Sequence, residues 1–219
     1  MTRVIAGAAK GRRLAVPPGR GTRPTSDRAR EGLFATLTAI RGTLAGAAVL
    51  DLYAGSGAVG LEALSRGAAR TLFVEADARV ARVIRENLRA VGLPGGTVLA
   101  DRVERALSRG PAGGVAAAGA AAESGPDAQA AGSASGGAGY DVVFADPPYA
   151  AGDGEVTRML SLLAEHGWLA ADAIIVVERA TRSGPVPWPP GFAPDRSRRY
   201  GETTFWYGLA AGMQPARVS

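Results

Sequence analysis

Four consecutive residues, Asp146-Pro147-Pro148-Tyr149, have the makings of a hydrogen-bonding clamp. A carboxylate and a main-chain carbonyl held side by side each accept one N–H. The Pro147 carbonyl is held stiffly, because consecutive prolines lock φ. Such a pair suits an exocyclic amino group on a nucleobase, whose lone pair is delocalised into the ring. With both hydrogens gripped, the nitrogen lone pair is aimed at an electrophile. Tyr149 adds a flat ring on which an extruded base can stack. Asp146 is also placed to take the proton that the alkylated nitrogen releases. The same four residues make good turn chemistry, so their setting decides between the readings. They follow the apolar run Val142-Val143-Phe144-Ala145. They therefore cap the carboxyl end of a strand, where ligands of open α/β sheets bind.

A second cluster, Asp51-Leu52-Tyr53-Ala54-Gly55-Ser56-Gly57-Ala58-Val59-Gly60, joins an apolar run to a helical pattern. Glycines there let the backbone turn tightly and approach a ligand. The helix start behind them offers free N–H groups. Gly55, Gly57 and Gly60 satisfy the spacing of a dinucleotide fingerprint, and Glu75 closes the next strand, where an acid accepts hydrogen bonds from ribose hydroxyls. These features indicate an adenosine-type cofactor and fit both a nicotinamide dinucleotide and S-adenosylmethionine. Asp51 favours the second. A pyrophosphate gains nothing from a carboxylate at the loop entrance, whereas ammonium and sulfonium charges do. Asp101, closing a third strand, is placed to receive the adenine amino group.

The elements that must carry these residues read as follows. Arg3–Ala6 and Arg13–Val16 are two short strands around the turn Gly7–Arg12. Thr25, Ser26 or Asp27 caps a helix in which Ala29, Leu33, Phe34, Leu37 and Ile40 recur at helical spacing. Strands at 48–53, 71–75 and 97–100 alternate with helices at 59–66, 78–91 and from Arg102. That order implies a parallel sheet with right-handed crossovers. Residues 110–139 are almost entirely Ala, Gly, Ser and Pro, too poor in apolar bulk to offset chain entropy, and are expected to be a mobile insertion. A strand at 141–145, a helix at 153–166, a strand at 173–178 and a closing pair, Arg198–Tyr200 with Thr203–Leu209, complete about seven core strands. The organisation expected is a basic extension and capping helix (1–45), one α/β domain (46–210) and a flexible tail (211–219).

The chain has 219 residues, 25 Lys and Arg against 20 Asp and Glu, and no cysteine. Neither disulfides nor thiolate metal sites are available to it. No stretch approaches the ~18–20 apolar residues of a membrane span, and Met1–Lys10 lacks a signal-peptide run. A cytoplasmic monomer without metal or membrane partner is the expectation. A GC-rich coding bias explains why nearly every cation is arginine, but not the positive excess, which suits a polyanion. Lys10, Arg12, Arg13, Arg20, Arg23 and Arg28 crowd the N-terminal extension and read as a phosphate cradle. Arg79, Arg82, Arg85 and Arg89 read as a solvated helix face, and His166 as a residue near a helix end.

On these motifs the chain resembles the RsmD-type bacterial 16S rRNA (guanine-N2)-methyltransferases. The similarity runs through Arg3-Val-Ile-Ala-Gly, Lys10-Gly-Arg-Arg-Leu14, Arg23–Phe34, Leu50–Ala68, Asp146–Tyr149 and Tyr200-Gly-Glu-Thr. It covers nearly the whole chain except 110–139. The resemblance implies a class I S-adenosylmethionine-dependent methyltransferase fold, Rossmann-like, with a seven-stranded mostly parallel sheet whose last strand runs antiparallel. It implies S-adenosylmethionine as sole cofactor, no metal, and 16S rRNA or the assembling small ribosomal subunit as partner. It implies that Asp51, Gly55, Ser56 and Gly57 line the methionine end, Glu75 the ribose and Asp101 the adenine. Tyr53, Ala54 and Ala76 border them, and Thr25 and Arg30 face the cofactor from the capping helix.

Four rivals exist. An adenine-N6 DNA or RNA methyltransferase, or a glutamine-amide methyltransferase, uses the same fold; a DNA enzyme usually carries a target-recognition domain for which this chain has no room. A nicotinamide-dependent dehydrogenase leaves Asp146–Tyr149 unexplained. A non-catalytic RNA-binding ribosome-assembly module leaves the cofactor constellation unexplained.

Overall fold

The run Ala48–Leu52 (β3) is buried at every position, which a strand covered by helices on both faces requires. In the computed structural model, which describes residues 2–17, 26–112, 139–148 and 150–211, this strand lies in the middle of a seven-stranded sheet. Thr25, Arg20, Arg23, Tyr149, nearly all of the 110–139 insertion and the tail from 212 lie outside the described residues. The other strands are Arg70–Glu75 (β4), Gly96–Ala100 (β5), Tyr140–Ala145 (β6), Leu169–Ala180 (β7), Phe192–Tyr200 (β8) and Thr203–Ala210 (β9), in the order β5-β4-β3-β6-β7-β9-β8. Strands β3 to β7 pair in parallel. Strand β9 runs antiparallel to both of its neighbours.

Successive residues of a strand face opposite ways, and the two faces of this sheet are built differently. Leu50, Leu52, Leu72, Val74, Val143, Ala145, Ile175 and Val177 pack with helices α4 (Val103–Ser108) and α5 (Asp153–Glu165). Val49, Val142, Phe144, Ile174 and Val176 pack with α1 (Asp27–Arg41) and α2 (Ala58–Ser65). Phe73 and Val98 continue that second face under α3 (Ala78–Val91). Helix α1 starts where the Ser26 hydroxyl accepts the Ala29 N–H at 3.2 Å, one orphan donor of a helix start satisfied.

The N-terminal hairpin is shorter than its sequence pattern: only Thr2–Arg3 (β1) and Arg13–Leu14 (β2) pair. It is docked on the helices. Val4, Ala9 and Leu14 join the α2–α3 core. The buried Glu62 accepts the N–H groups of Ile5 and Ala6 at 2.7 and 3.0 Å. Ser65 accepts the Ala9 N–H at 2.9 Å.

Two strands exceed their expected lengths. Strand β7 begins at Leu169, across an irregularity in its register with β6. Strand β8 begins at Phe192 and includes Pro194, beside a bulge against β9. An edge strand tolerates proline because its outer N–H needs no partner. Ala193–Arg199 are exposed on both sides, so no alternation marks them as a strand.

Candidate active site at the carboxyl ends of the strands

Strands β3 and β6 are adjacent, with Leu52 opposite Ala145. The residues that follow each strand therefore emerge side by side. The Asp146 N–H points at the Leu52 carbonyl, 3.4 Å away. The glycine loop and the Asp146 segment thus share one end of the sheet.

Asp51 is buried, and its carboxylate accepts the Gly60 N–H at 2.9 Å. Gly60 is the third residue of α2, so Asp51 compensates the positive end of that helix. Burial pushes Asp51 up to about 8, with the Gly60 bond opposing and Glu75 repulsion adding. Gly60 has no room for a side chain: a Cβ would lie 2.3 Å from the Phe73 ring. Gly57 turns into the helix at φ +76, and Tyr53 holds φ +57. Such conformations are uncommon for a residue other than glycine and mark a tightly built turn.

Glu75 binds the loop from the next strand. One carboxylate oxygen accepts the Gly55 N–H at 3.0 Å and the other the Asp77 N–H at 2.9 Å. Each oxygen keeps a lone pair for a further donor. The Ala54 N–H donates to the Val74 carbonyl at 3.1 Å, and exposed Ala76 follows Glu75 at the rim. Asp101 holds an exposed arginine, its carboxylate 2.8 Å from Arg109 and 3.5 Å from Arg105.

Asp146 sits among like charges. Its carboxyl is held well above the usual range, by burial first, then by Glu178 and Asp51. Glu178, buried on β7, closes the apolar run 173–177 as Asp146 closes 142–145, and that position was a signal for it in the sequence. Asp146 thus has two carboxyl neighbours, Asp51 of β3 and Glu178 of β7, and both disfavour its charged form. Pro147 is buried and Pro148 exposed; the Pro148 carbonyl accepts the Ala151 N–H at 2.7 Å and closes the turn.

Another missed residue is Asn87 of α3. Its buried carboxamide accepts the Ala15 N–H at 2.8 Å and donates to the carbonyls of Ala15 at 3.0 Å and Ser56 at 2.9 Å. The N-terminal segment and the glycine loop are thereby tied to one side chain.

The expectation that Arg30 faces the cofactor is corrected. Its side chain has 0% exposure, and its guanidinium turns to the Arg3 carbonyl and to Asp27, with Glu62 4.0 Å away. A buried cation needs such partners, and here they lie on the N-terminal segment and α2. The basic residues of the extension also divide. Lys10 and Arg12 belong to the Gly7–Arg12 turn, which rests on Ser65 at the end of α2 away from the glycine loop. Arg13 is exposed near Ala15, and Arg28 is exposed in the first turn of α1.

The family model described as conserved hypothetical protein 95 matches residues 2–118 and 119–208. Ribosomal RNA small subunit methyltransferase D of Escherichia coli (strain K12) is 34% identical over 203 residues, 93% of this chain and 87% of that one. The Haemophilus influenzae protein of the same name is 34% identical over 179 residues, 80% of this chain and 77% of that one. Among solved structures, the methyltransferase yhhF of Escherichia coli superimposes with a TM-score of 0.75 at 29% identity, over 97% of this chain and 99% of that one. An RNA methyltransferase from Salinibacter ruber, solved with S-adenosyl-L-homocysteine, shares the fold at 16% identity and a TM-score of 0.56, over 90% of this chain and 99% of that one.

Proposed function

The chain belongs to the conserved hypothetical protein 95 family, and from that membership and the strand-tip geometry we propose that it transfers a methyl group from S-adenosylmethionine to the exocyclic N2 of a guanine in small-subunit ribosomal RNA. The observation that carries this reading is the convergence of Asp51, Asp146 and Glu178 beside a glycine loop. That acid cluster fits a cationic methyl donor and is a poor seat for a pyrophosphate. The small-subunit rRNA methyltransferases it matches support the choice of RNA.

When bound, S-adenosylmethionine supplies an electrophilic methyl group, whose bond to sulfur breaks with its electron pair as the bond to nitrogen forms. Gly55, Ser56 and Gly57 bring the backbone close to the methionine end, and Asp51 supplies the negative charge there. Tyr53 and Ala54 border that end. Glu75 offers its remaining lone pairs to ribose hydroxyls, with Ala76 beside it. Asp101 lies where the adenine amino group would be received, its two oxygens already engaged by the Arg102 N–H at 2.9 Å and by Arg109 at 2.8 Å. Asp146 and the Pro147 carbonyl grip the two hydrogens of the target amine, and Tyr149 stacks on the base. Asp146 then takes the proton from the alkylated nitrogen. Arg13 and Arg28, with Arg20 and Arg23, hold the RNA backbone.

The test is transfer of labelled methyl to small-subunit rRNA, followed by mass spectrometry of its nucleosides. N2-methylguanosine is the expected product; N6-methyladenosine in its place overturns the substrate. Asp146→Ala is expected to lower transfer by at least about a hundredfold, in the range of lost acid–base and positioning groups, with cofactor binding by calorimetry near that of the parent. A fully active variant overturns the role of Asp146.

A further inference from the structure

On the sheet face opposite the N-terminal hairpin, a groove of about 390 Å³ opens between α4 and α5, lined by Arg102, Glu104, Arg105, Gly154, Glu155 and Arg158. We propose that this groove is a second seat for the RNA sugar–phosphate backbone, in which Arg102, Arg105 and Arg158 hold a phosphodiester next to the nucleotide gripped at Asp146; this rests on the RNA-methylating reading above.

Position and charge both carry the assignment. Helix α5 starts at Asp153, a short turn after Asp146–Tyr149. The opposite wall reaches the glycine loop through Tyr53, whose hydroxyl donates to Glu104 at 3.2 Å. The groove therefore adjoins the place where the target base enters. Both of its acids are engaged locally: Glu104 by that hydroxyl, and Glu155 by the Gly152 N–H at 2.9 Å, within the cap of α5. The arginines are not spent in the same way. Arg105 leans on Asp101 at 3.5 Å with its side chain 70% exposed. Among the described residues, Arg102 and Arg158 have no carboxylate within ion-pair distance, and both are exposed. Three guanidinium groups around one concavity match phosphate geometry. A solvated helix face, such as that of Arg82 and Arg89 on α3, presents its cations on a convex surface. A strand held in this groove and on the α1 side would be gripped on both flanks of the extruded nucleotide, where contacts to neighbouring nucleotides help select the substrate.

The experiment compares the salt dependence of binding to deproteinised small-subunit rRNA for the parent, Arg102→Gln/Arg158→Gln and the control Arg82→Gln/Arg89→Gln. Each phosphate contact contributes roughly 0.7–0.9 to the slope of log K against log salt. The groove variant is expected to lose about one to two units of slope and to bind RNA roughly tenfold more weakly at moderate salt. Its calorimetric affinity for S-adenosylhomocysteine is expected to stay unchanged, and the control to keep the parental slope. An unchanged slope in the groove variant overturns the proposal, as does a loss of cofactor affinity with RNA binding intact, which assigns the groove to the adenosine instead. Should the double variant misfold, Arg158→Gln alone, on the surface of α5, is read in the same way. A parent that binds RNA but leaves guanine unmethylated overturns the functional reading and not the groove.

Discussion

Burial disfavours the charged forms of Asp51 and Asp146, and the pH dependence follows from the sign of that effect. Both are raised in the folded chain, Asp51 to about 8, while an unfolded aspartate titrates near ~3.9. The folded state therefore binds more protons than the unfolded state between these limits. Its stability is greatest at the acid end of that window and falls as pH rises through about 8. Asp51→Asn is expected to flatten the fall, and melting curves from pH 5 to 9 measure it. A cationic ligand favours the ionised acids, so cofactor binding is expected to tighten as pH rises and to release protons. Calorimetry in buffers of different ionisation enthalpy reads that release, and binding that takes up protons contradicts the placement of Asp51. At this scale the sequence was informative wherever function is local. Asp146-Pro147-Pro148 and the glycine loop are contiguous, and their chemistry is readable from spacing. Asn87 was not, because its partners Ala15 and Ser56 are far away along the chain. The setting of Arg30 was hidden for the same reason: the Arg3 carbonyl and Glu62 of α2 lie far from it along the chain.

Among the elements, the hairpin depends on close contact with α2. Gly7 holds φ +83, and a Cβ there would lie 1.8 Å from the Ser65 carbonyl oxygen. Backbone cannot yield as a flexible side-chain tip can. Gly7→Ala is expected to cost at least about 2 kcal/mol, seen in urea denaturation, and to expose Thr2–Leu14 to limited proteolysis while the sheet stays folded. A variant as stable and as resistant as the parent would show that the hairpin is not anchored at this point. The elements themselves were largely legible. Buried parallel strands read as continuous apolar runs, and β3, β4 and β6 are such runs. Helix α3 announces itself by Asp77, whose carboxylate accepts the Arg79 N–H at 2.8 Å, and by Gly92 at its end, φ +71. The first part of β8, 192–197, escaped because what makes it a strand is its pairing with β9, a tertiary fact with no local pattern.

The whole molecule divides its labour between the two faces of one sheet. One face carries α1, α2, α3 and the hairpin, the other α4 and α5, and the proposed site lies at the carboxyl ends of the strands between them. Strand alternation in the sequence fixes that there are two faces, but the assignment of helices to them follows from crossover handedness and strand order. That is why the α4–α5 groove had no trace in a linear reading. Among the described residues no helix is long and apolar enough to cross a membrane.

Because Asn87 holds the N–H and the carbonyl of Ala15 with the two ends of its amide, and the Ser56 carbonyl with the same nitrogen, the amino-terminal arm acts as a brace on the glycine turn. Removing residues 1–17 leaves every proposed ligand of the methyl donor in place, yet strips a buried amide of two partners, a loss of about 1–3 kcal/mol for each polar group left unsatisfied. A chain lacking residues 1–17 is expected to bind S-adenosylhomocysteine several-fold more weakly by calorimetry, and equal affinity would mean that the brace carries no strain. In that sense the proposed grip on a small molecule depends on a segment that supplies none of its ligands.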